Sequence, residues 1–145
     1  MSTTSLKEPI VVGIDGSDHA ATALNWAVDE ARLRRRPLRI VHAFPAMVSI
    51  VGTQAHEHYP KVETEARASF EKALADAPPM DGLDVERDLV AGNPAEQLVA
   101  ASEGANLLVV GSRGLGTFRG MLLGSVSMHC VTQSHCPVVV VRHDD

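Results

Sequence analysis

Apolar residues follow two alternating patterns along the chain, and each pattern predicts a different secondary-structure element. Short continuous apolar runs bounded by turn residues are typical of buried strands. Apolar residues that recur every three or four positions are typical of helices with one buried face. These patterns predict strands at residues 9–15, 38–44, 85–90, 106–111 and 137–142, and helices at residues 18–36, 62–77, 94–103 and 125–133. Residues 45–58 follow neither pattern, and we expect them to form a loop.

The predicted elements alternate between strand and helix from the first strand to the last. Right-handed crossovers between such strands produce an α/β fold, in which a five-stranded parallel sheet lies between two helical layers. The ligand crevice of such a sheet forms at the carboxyl ends of its strands. The 145 residues match one ordinary domain and contain no repeat, so we expect residues 1–145 to form a single domain.

The clearest helix start is the segment Asn93-Pro94-Ala95-Glu96. An asparagine side chain caps the first backbone N–H groups, and proline is favoured at the first helical position. A glutamate three residues after the cap is typical of a capping box. The segment therefore predicts a helix that begins at Pro94.

Composition and charge narrow the range of partners. Apolar residues make up 45% of the chain and aromatic residues only 3%, which fits the aliphatic core of a parallel sheet. The net charge of −5 gives no field that would attract nucleic acid or an anionic membrane, so neither is expected as a partner. The basic run at Arg32 and residues 34–36 ends a predicted helix, where cations complement the helix dipole.

The sequence also predicts a cytoplasmic protein. Residues 1–8 are polar and do not resemble a signal peptide, and no later run approaches the roughly 20 apolar residues of a membrane span. In a protein that is not exported, Cys130 and Cys136 are expected to be reduced thiols packed as small apolar groups, rather than a disulfide.

A glycine-rich stretch over residues 111–124 carries the most specific chemistry. Its spacing is Gly111, two residues, Gly114, nine residues, and then Gly124-Ser125 at the start of a predicted helix. Glycines allow an anion to approach the backbone, and a helix N-terminus supplies free N–H donors, so this spacing suits phosphate. It is not a P-loop, because Gly-Lys-Ser/Thr is absent, and Arg119 stands where the dinucleotide fingerprint needs its third glycine.

This loop, the strand ending Val-Gly-Ile-Asp15-Gly-Ser and the terminal Cys-Pro-Val-Val-Val-Val together resemble the universal stress protein family. The resemblance extends from about residue 10 to residue 142. It implies an adenine-nucleotide α-hydrolase-like fold, with strand order 3-2-1-4-5 in a three-layer sandwich. It also implies ATP binding, because the Gly-x2-Gly-x9-Gly-Ser motif marks the members of the family that bind ATP.

The resemblance implies a role for each matching residue. Val41 would contact the adenine, and Asp15 would lie near the phosphates. A carboxylate repels phosphate, so Asp15 would either share a magnesium ion or bind the ribose hydroxyls. His42 is a further candidate base contact, although its position on a buried strand favours a hydrogen-bonded structural histidine. The other implied binding residues are Gly13, Val110, Gly111, Arg113 and Gly114, and the phosphate-capping residues Gly124, Ser125, Val126 and Ser127.

Three other kinds of site are disfavoured. The segment His56-Glu57-His58 holds three potential zinc ligands, but it lies in a predicted loop with no distant further ligand. Ser112 or Ser125 beside a histidine and Asp15 would suggest a hydrolase, but the Gly-x-Ser-x-Gly elbow is absent. A phospho-accepting receiver domain needs an aspartate after strand three and a lysine near strand five, and the chain has neither.

The function that follows is a nucleotide-dependent regulator of a stress response, in which ATP occupancy favours one conformation that an unidentified client protein recognises. Slow ATP hydrolysis or autophosphorylation near Ser125 stays open, although no general base or P-loop lysine is evident. A nucleotide-free dimeric interaction module is the remaining alternative. The apolar last strand, Val138–Val141, is expected at a sheet edge, where pairing in a homodimer or the charged tail at residues 142–145 would protect it.

Overall fold

The computed structural model describes residues 7–45, 54–115 and 122–143, with their side chains except those of residues 54–60. The strands are β1 (Ile10–Ile14), β2 (Leu38–Phe44), β3 (Val85–Ala91), β4 (Leu107–Gly111) and β5 (Val138–Val141). The helices are α1 (Asp18–Arg34), α2 (Gln54–Ala75), α3 (Pro94–Ser102) and α4 (Ser125–Gln133). The predicted alternation of strand and helix is confirmed.

The five strands form one parallel sheet in the order β3-β2-β1-β4-β5. This order is the one that the family resemblance implied. The central strand β1 pairs with β2 on one side and β4 on the other, so that Gly13 lies opposite Val41. The carboxyl ends of β2, β1 and β4 therefore lie side by side at one edge of the sheet.

Alternate residues of β1 point into two separate cores. On one face, Val12 packs in a cluster with Leu24 of α1 and with Phe70 of α2. On the other face, Val11 packs with Leu98 of α3 and with Cys130 of α4. Each fully buried aliphatic side chain contributes about 1.5–3 kcal/mol to folding, and this holds both helical layers against the sheet.

Helix α2 begins earlier than the apolar pattern indicates. The prediction of a loop over residues 45–58 is wrong for residues 54–58, which are helical from Gln54 onward. Apolar periodicity detects only a buried face, whereas residues 54–58 are mostly polar and include good helix formers. Residues 46–53 lie outside the described part of the chain. The other predicted boundaries coincide with the observed ones or differ from them by one or two residues.

Local side-chain chemistry explains several of these boundaries. Asn93 accepts a hydrogen bond from the backbone N–H of Glu96 at 3.1 Å, which confirms the predicted start of α3 at Pro94. Helix α1 ends at Arg34 because Arg35 adopts a left-handed conformation with φ of 57°. The Arg32 guanidinium donates to the carbonyls of residues 79 and 81, so this part of the basic run holds a neighbouring loop.

Both cysteines are free thiols. Cys130 is fully buried on the inner face of α4, and burial raises the pKa of its thiol to about 11. Cys136 is half-buried before β5. Cys130 therefore packs as a small apolar side chain, as predicted. Among the described helices, none combines the length and the apolar character that crossing a membrane requires.

Candidate functional site

A cavity of about 480 Å³ opens at the carboxyl ends of β2, β1 and β4. Helix α2 closes it on one side of the sheet, and α3 with the start of α4 closes it on the other. The structure brings all of the predicted binding residues to the wall of this one cavity. They are Gly13, Asp15, Val41, Val110, Gly111, Arg113, Gly114, Gly124, Ser125, Val126 and Ser127.

Asp15 joins the end of β1 to the glycine-rich loop. One carboxylate oxygen accepts a hydrogen bond from the backbone N–H of Ser17 at 2.9 Å. The other accepts one from the N–H of Leu115 at 3.0 Å. Both bonds orient the carboxylate within the cavity wall. Asp15 therefore acts on the loop directly, a role that the sequence did not indicate.

Two glycines of the loop permit close approaches that a side chain would prevent. A Cβ atom at Gly114 would lie 2.5 Å from an Asp15 carboxylate oxygen. A Cβ atom at Gly111 would lie 2.8 Å from the backbone carbonyl of His19, in the first turn of α1. The first half of the loop thus lies directly against the end of β1 and the start of α1. Residues 116–121 lie outside the described part of the chain.

The start of α4 forms another part of the wall. Its N-cap residue, Gly124, has extended backbone and makes no side-chain cap. The Gly124 N–H donates to the carbonyl of Ser112 at 2.7 Å, which brings the two ends of the loop together. The buried hydroxyl of Ser127 lies 3.0 Å from the carbonyls of both Ser112 and Gly124 and is placed to donate to them. The first N–H groups of a helix have no partner within it, so this wall offers donors for an anion.

Helices α2 and α3 supply wall residues that the sequence analysis missed. Helix α2 contributes Val62, Glu65, Ala66 and Ser69, and α3 contributes Pro94 and Leu98. Except for Pro94, which is part of the helix-start segment of α3, these residues belong to no local motif. Tertiary packing alone brings them to the strand ends. The predicted topology places a helix on each side of the crevice, and only this feature indicated that residues of α2 and α3 would line the cavity.

His42 is buried at the β2 end of the cavity, with 6% of its surface exposed. Its ring stands edge-on to Phe70 of α2, with centroids 5.5 Å apart. The Nδ1 atom has no hydrogen-bond partner among the described residues. Burial lowers the pKa of His42, and the nearby Asp15 carboxylate opposes that shift. The hydrogen-bonded structural histidine that the strand position favoured is therefore not satisfied at Nδ1 by the described residues.

A second histidine, His19, contacts the glycine-rich loop from outside the cavity wall. His19 Nδ1 lies 3.2 Å from the hydroxyl of Ser112, and its ring packs edge-on against His143, with centroids 5.1 Å apart. Desolvation lowers the pKa of His19, and the positive charges of Arg113 and His143 add to this effect. Ser112 is 4% exposed and is absent from the described cavity wall, so the pair does not form a nucleophilic site there.

Within the described ranges, the protein side chains alone do not form a metal site. No group of three or more His, Cys, Asp or Glu side chains within residues 7–45, 61–115 and 122–143 is arranged to hold a metal ion. The side chains of His56, Glu57 and His58, which were the disfavoured zinc candidates, lie outside the described part of the chain.

Residues 7–142 match the model of the universal stress protein family. Over 155 residues the chain is 32% identical to the universal stress protein Rv2623 of Mycobacterium tuberculosis. That match covers 100% of this chain and 51% of the relative, so the chain spans about half the length of the relative.

Two solved structures share both the fold and a detectable sequence similarity. A universal stress protein in complex with cAMP aligns with a TM-score of 0.71 and 29% identity, over 97% of this chain and 100% of that one. A universal stress protein from Archaeoglobus fulgidus in complex with dAMP aligns with a TM-score of 0.58 and 25% identity, over 94% and 99% of the two chains. The family match, the curated relative and these shared folds agree, and the chain belongs to the universal stress protein family.

Proposed function

We propose that the cavity at the strand ends binds ATP and that its occupancy regulates a stress response. The observation that carries this proposal is the convergence of the glycine-rich loop and the uncapped start of α4 on one cavity beside an apolar strand end. Phosphate and an aromatic base require these two environments at opposite ends of one site. The complexes of related proteins with cAMP and dAMP support an adenine nucleotide as the ligand.

The phosphates would lie at the β4 end of the cavity. There the first turn of α4 offers backbone N–H groups and the positive end of a helix dipole. Arg113 lines the same region and adds a positive charge. A longer phosphate chain engages more of these donors than a monophosphate does, which favours ATP over the mononucleotides seen in the related structures.

Magnesium fits this site as a partner of the phosphates. Mg²⁺ is usually held by one or two carboxylates together with phosphate oxygens and water. Asp15 supplies one carboxylate at the cavity wall, and Glu65 of α2 lines the same cavity. The ion would offset phosphate charge near Asp15, while Asp15 keeps its bonds to the Ser17 and Leu115 N–H groups.

Regulation would follow from the coupling between ligand and loop. Gly114 packs against the carboxylate that holds the Leu115 N–H, so a ligand that contacts this segment also stabilises one conformation of the loop. A client protein that recognises this conformation would respond to ATP. We place this regulator in the cytoplasm, as a single domain.

We also propose a homodimer that pairs β5 with its copy. Strand β5 lies at the edge of the sheet in the described topology, and each of Val138–Val141 is only half-buried. An exposed apolar edge strand is a template for pairing. A second copy of the same edge would cover it with twofold symmetry.

Calorimetric titration of ATP with magnesium into the nucleotide-stripped protein tests the proposed ligand. Ser125 is the first residue of α4 and lines the cavity. Ser125→Asp puts a negative charge where phosphate is expected, yet an acid at this position stabilises the helix itself. We expect this variant to lose at least 10-fold in affinity, whereas the uncharged isostere Ser125→Asn loses less than 3-fold. Equal binding by both variants would show that the phosphates do not lie at the start of α4. A parent protein that does not bind ATP would contradict the proposal.

A further inference from the structure

A second cavity lies at the opposite edge of the sheet from the proposed ATP site. Its volume is about 400 Å³, and it opens between the end of α1 and the amino ends of β2 and β3. Strand β2 has seven residues, which separates the two edges by about 20 Å. We call this cavity the arginine cleft, because Arg32, Arg35 and Arg36 line it together with Asp84.

The wall of the arginine cleft carries an excess of positive charge. Three arginines line it, against one acidic residue, Asp84. The guanidinium of Arg32 donates to the backbone carbonyls of residues 79 and 81, at 2.8 Å and 2.6 Å. These carbonyls are neutral, so they fix the position of the group without compensating its charge. A guanidinium has more N–H donors than these two bonds use, so Arg32 can also bind a ligand.

The other two arginines are weakly held or have no ionic partner. Arg36 lies 3.4 Å from the carboxylate of Glu8, which is 55% exposed. Water screens an exposed ion pair of this kind, so an anionic ligand can compete with Glu8. Arg35 forms no salt bridge with any residue that the structure describes.

Arg35 also adopts a backbone conformation that glycine normally occupies. Its φ of 57° and ψ of 46° are left-handed, and its N–H donates to the carbonyl of Arg32 where α1 ends. Glycine is favoured at such a helix end, because a side chain strains the left-handed backbone. The chain nevertheless has an arginine here, and this arginine lines the cleft. Local strain of this kind is typical of functional positions.

We propose that the arginine cleft binds a compact anion that contains two or more linked phosphate groups. The planar fork of a guanidinium pairs with two phosphate oxygens at once. A phosphate group presents its oxygens tetrahedrally, so it can bridge arginines that approach from different directions. A planar carboxylate matches a single fork. The linked phosphates therefore use the three arginines better than carboxylates of the same charge.

The dimensions and the overall charge favour a small ligand over a polymer. The volume of about 400 Å³ lies at the lower end of the range for small-molecule pockets. The net charge of −5 on the whole chain disfavours the approach of a long polyanion such as nucleic acid. Because the two edges of the sheet are separate, this binding does not depend on ATP in the strand-end cavity.

The test titrates inorganic diphosphate into the full chain with the substitution Ser125→Asp, which is designed to keep phosphate out of the strand-end cavity. Arg35→Gly, added to this background, removes one guanidinium. Arg34→Gln is the matched control, because Arg34 belongs to the same basic run but does not line the cleft. Thermal unfolding verifies that each variant is folded. Arg35→Gly should unfold at the temperature of the background protein or higher, because glycine accepts the left-handed backbone without strain.

We expect the background protein to bind diphosphate with a Kd below about 1 mM by calorimetry at low salt. Arg35→Gly should weaken binding about 10-fold, which corresponds to one charge-assisted contact, and Arg34→Gln less than about 3-fold. Asp84→Asn should strengthen binding about 3-fold, because it removes a repelling charge. Its backbone carbonyl still accepts the N–H of Leu38, as in the parent at 2.8 Å. In NMR spectra, the amide signal of Gly82, which lines the cleft, should shift on titration.

Several results would overturn the inference. One is a background protein that shows no saturable binding of diphosphate, and another is an Arg35→Gly variant that binds it equally well. Equal losses in Arg35→Gly and Arg34→Gln would assign the attraction to the general field of the basic run. Equal affinity for citrate, which carries carboxylates, would contradict the phosphate class.

Titration of ATP separates this inference from the proposed function. Arg35→Gly without the Ser125 substitution should bind ATP in the strand-end cavity as the parent does. A parent protein that binds no ATP would overturn the proposed function and leave the arginine cleft intact. An unchanged ATP affinity together with no binding of diphosphate would overturn the cleft alone.

Discussion

Asp15 and Leu115 are 100 positions apart in the chain, yet a carboxylate oxygen of Asp15 accepts a hydrogen bond from the backbone N–H of Leu115 at 3.0 Å. This contact fastens the glycine-rich loop to the carboxyl end of β1. The same oxygen lies 2.5 Å from the position that a Cβ atom at residue 114 would occupy. The second glycine of the motif is therefore needed for the loop to reach Asp15, independently of any ligand.

Replacement of Gly114 by alanine tests this contact. The new methyl group would meet the Asp15 carboxylate, so we expect the free energy of unfolding to fall by about 1–3 kcal/mol. Removing the carboxylate should relieve the clash. Urea denaturation of Gly114→Ala, Asp15→Ala and the double variant measures this, and the loss caused by Gly114→Ala should at least halve in the Asp15→Ala background. Additive losses would show that the two residues do not meet.

A proline at residue 125 isolates the contribution of one backbone donor. Ser125 is the first residue of α4 and follows an extended Gly124, a geometry that accepts proline. Helix α3 already begins with proline, at Pro94. Ser125→Pro removes the N–H group without interrupting the helix, and we expect ATP binding to weaken about 3- to 10-fold by calorimetry. Ser125→Ala keeps the N–H group and is the matched control. A proline variant with unchanged affinity would show that this N–H does not contact the ligand.

The buried histidine predicts how stability depends on pH. Burial lowers the pKa of His42 in the folded protein below its unfolded value of about 6.5. The unfolded state then binds more protons between these two values, so stability is intact above pH 6.5 and is lost as the pH falls towards the folded pKa. Urea denaturation at pH 7.5, 6.5 and 5.5 should show this decline, and His42→Phe should reduce it. A His42→Phe variant that retained the slope of the parent protein would assign the effect to other groups, such as His19, whose pKa is also lowered.

Much of the fold could be predicted because local patterns and the fold agree. Val12 and Val11 belong to a continuous apolar run, and the two faces of a central parallel strand are both buried. Asn93 caps α3 through a bond to Glu96, three residues away, and such local chemistry can be recognised in sequence. The start of α2 could not be predicted, because residues 54–58 carry no apolar period that marks a helix.

The candidate site was predictable only where residues belong to local motifs. Gly111, Gly114 and Gly124 were recognisable from their spacing, but the close contacts of Gly114 with Asp15 and of Gly111 with His19 depend on packing between distant segments. Ala66 and Leu98 reach the cavity through the placement of whole helices. His42 could be assigned to a buried strand, but the missing partner of its Nδ1 becomes apparent only when all neighbouring side chains are in place.

The edge strand offers a direct test of the proposed dimer. The carbonyl of Pro137 accepts a bond from the N–H group of Leu108 in β4, and that of Val141 from the N–H group of Ser112 directly after β4, at 2.9 Å each. In the alternation of a parallel ladder, the N–H group of Val140 therefore points away from β4. Val140→Pro should therefore preserve the pairing of β5 with β4 but remove a donor from the outer edge. If two copies pair through this edge, light scattering should show a dimer for the parent protein and a folded monomer for Val140→Pro, while Val140→Ala remains dimeric. A parent protein of monomer mass would remove the dimer, and a dimeric proline variant would place its interface elsewhere.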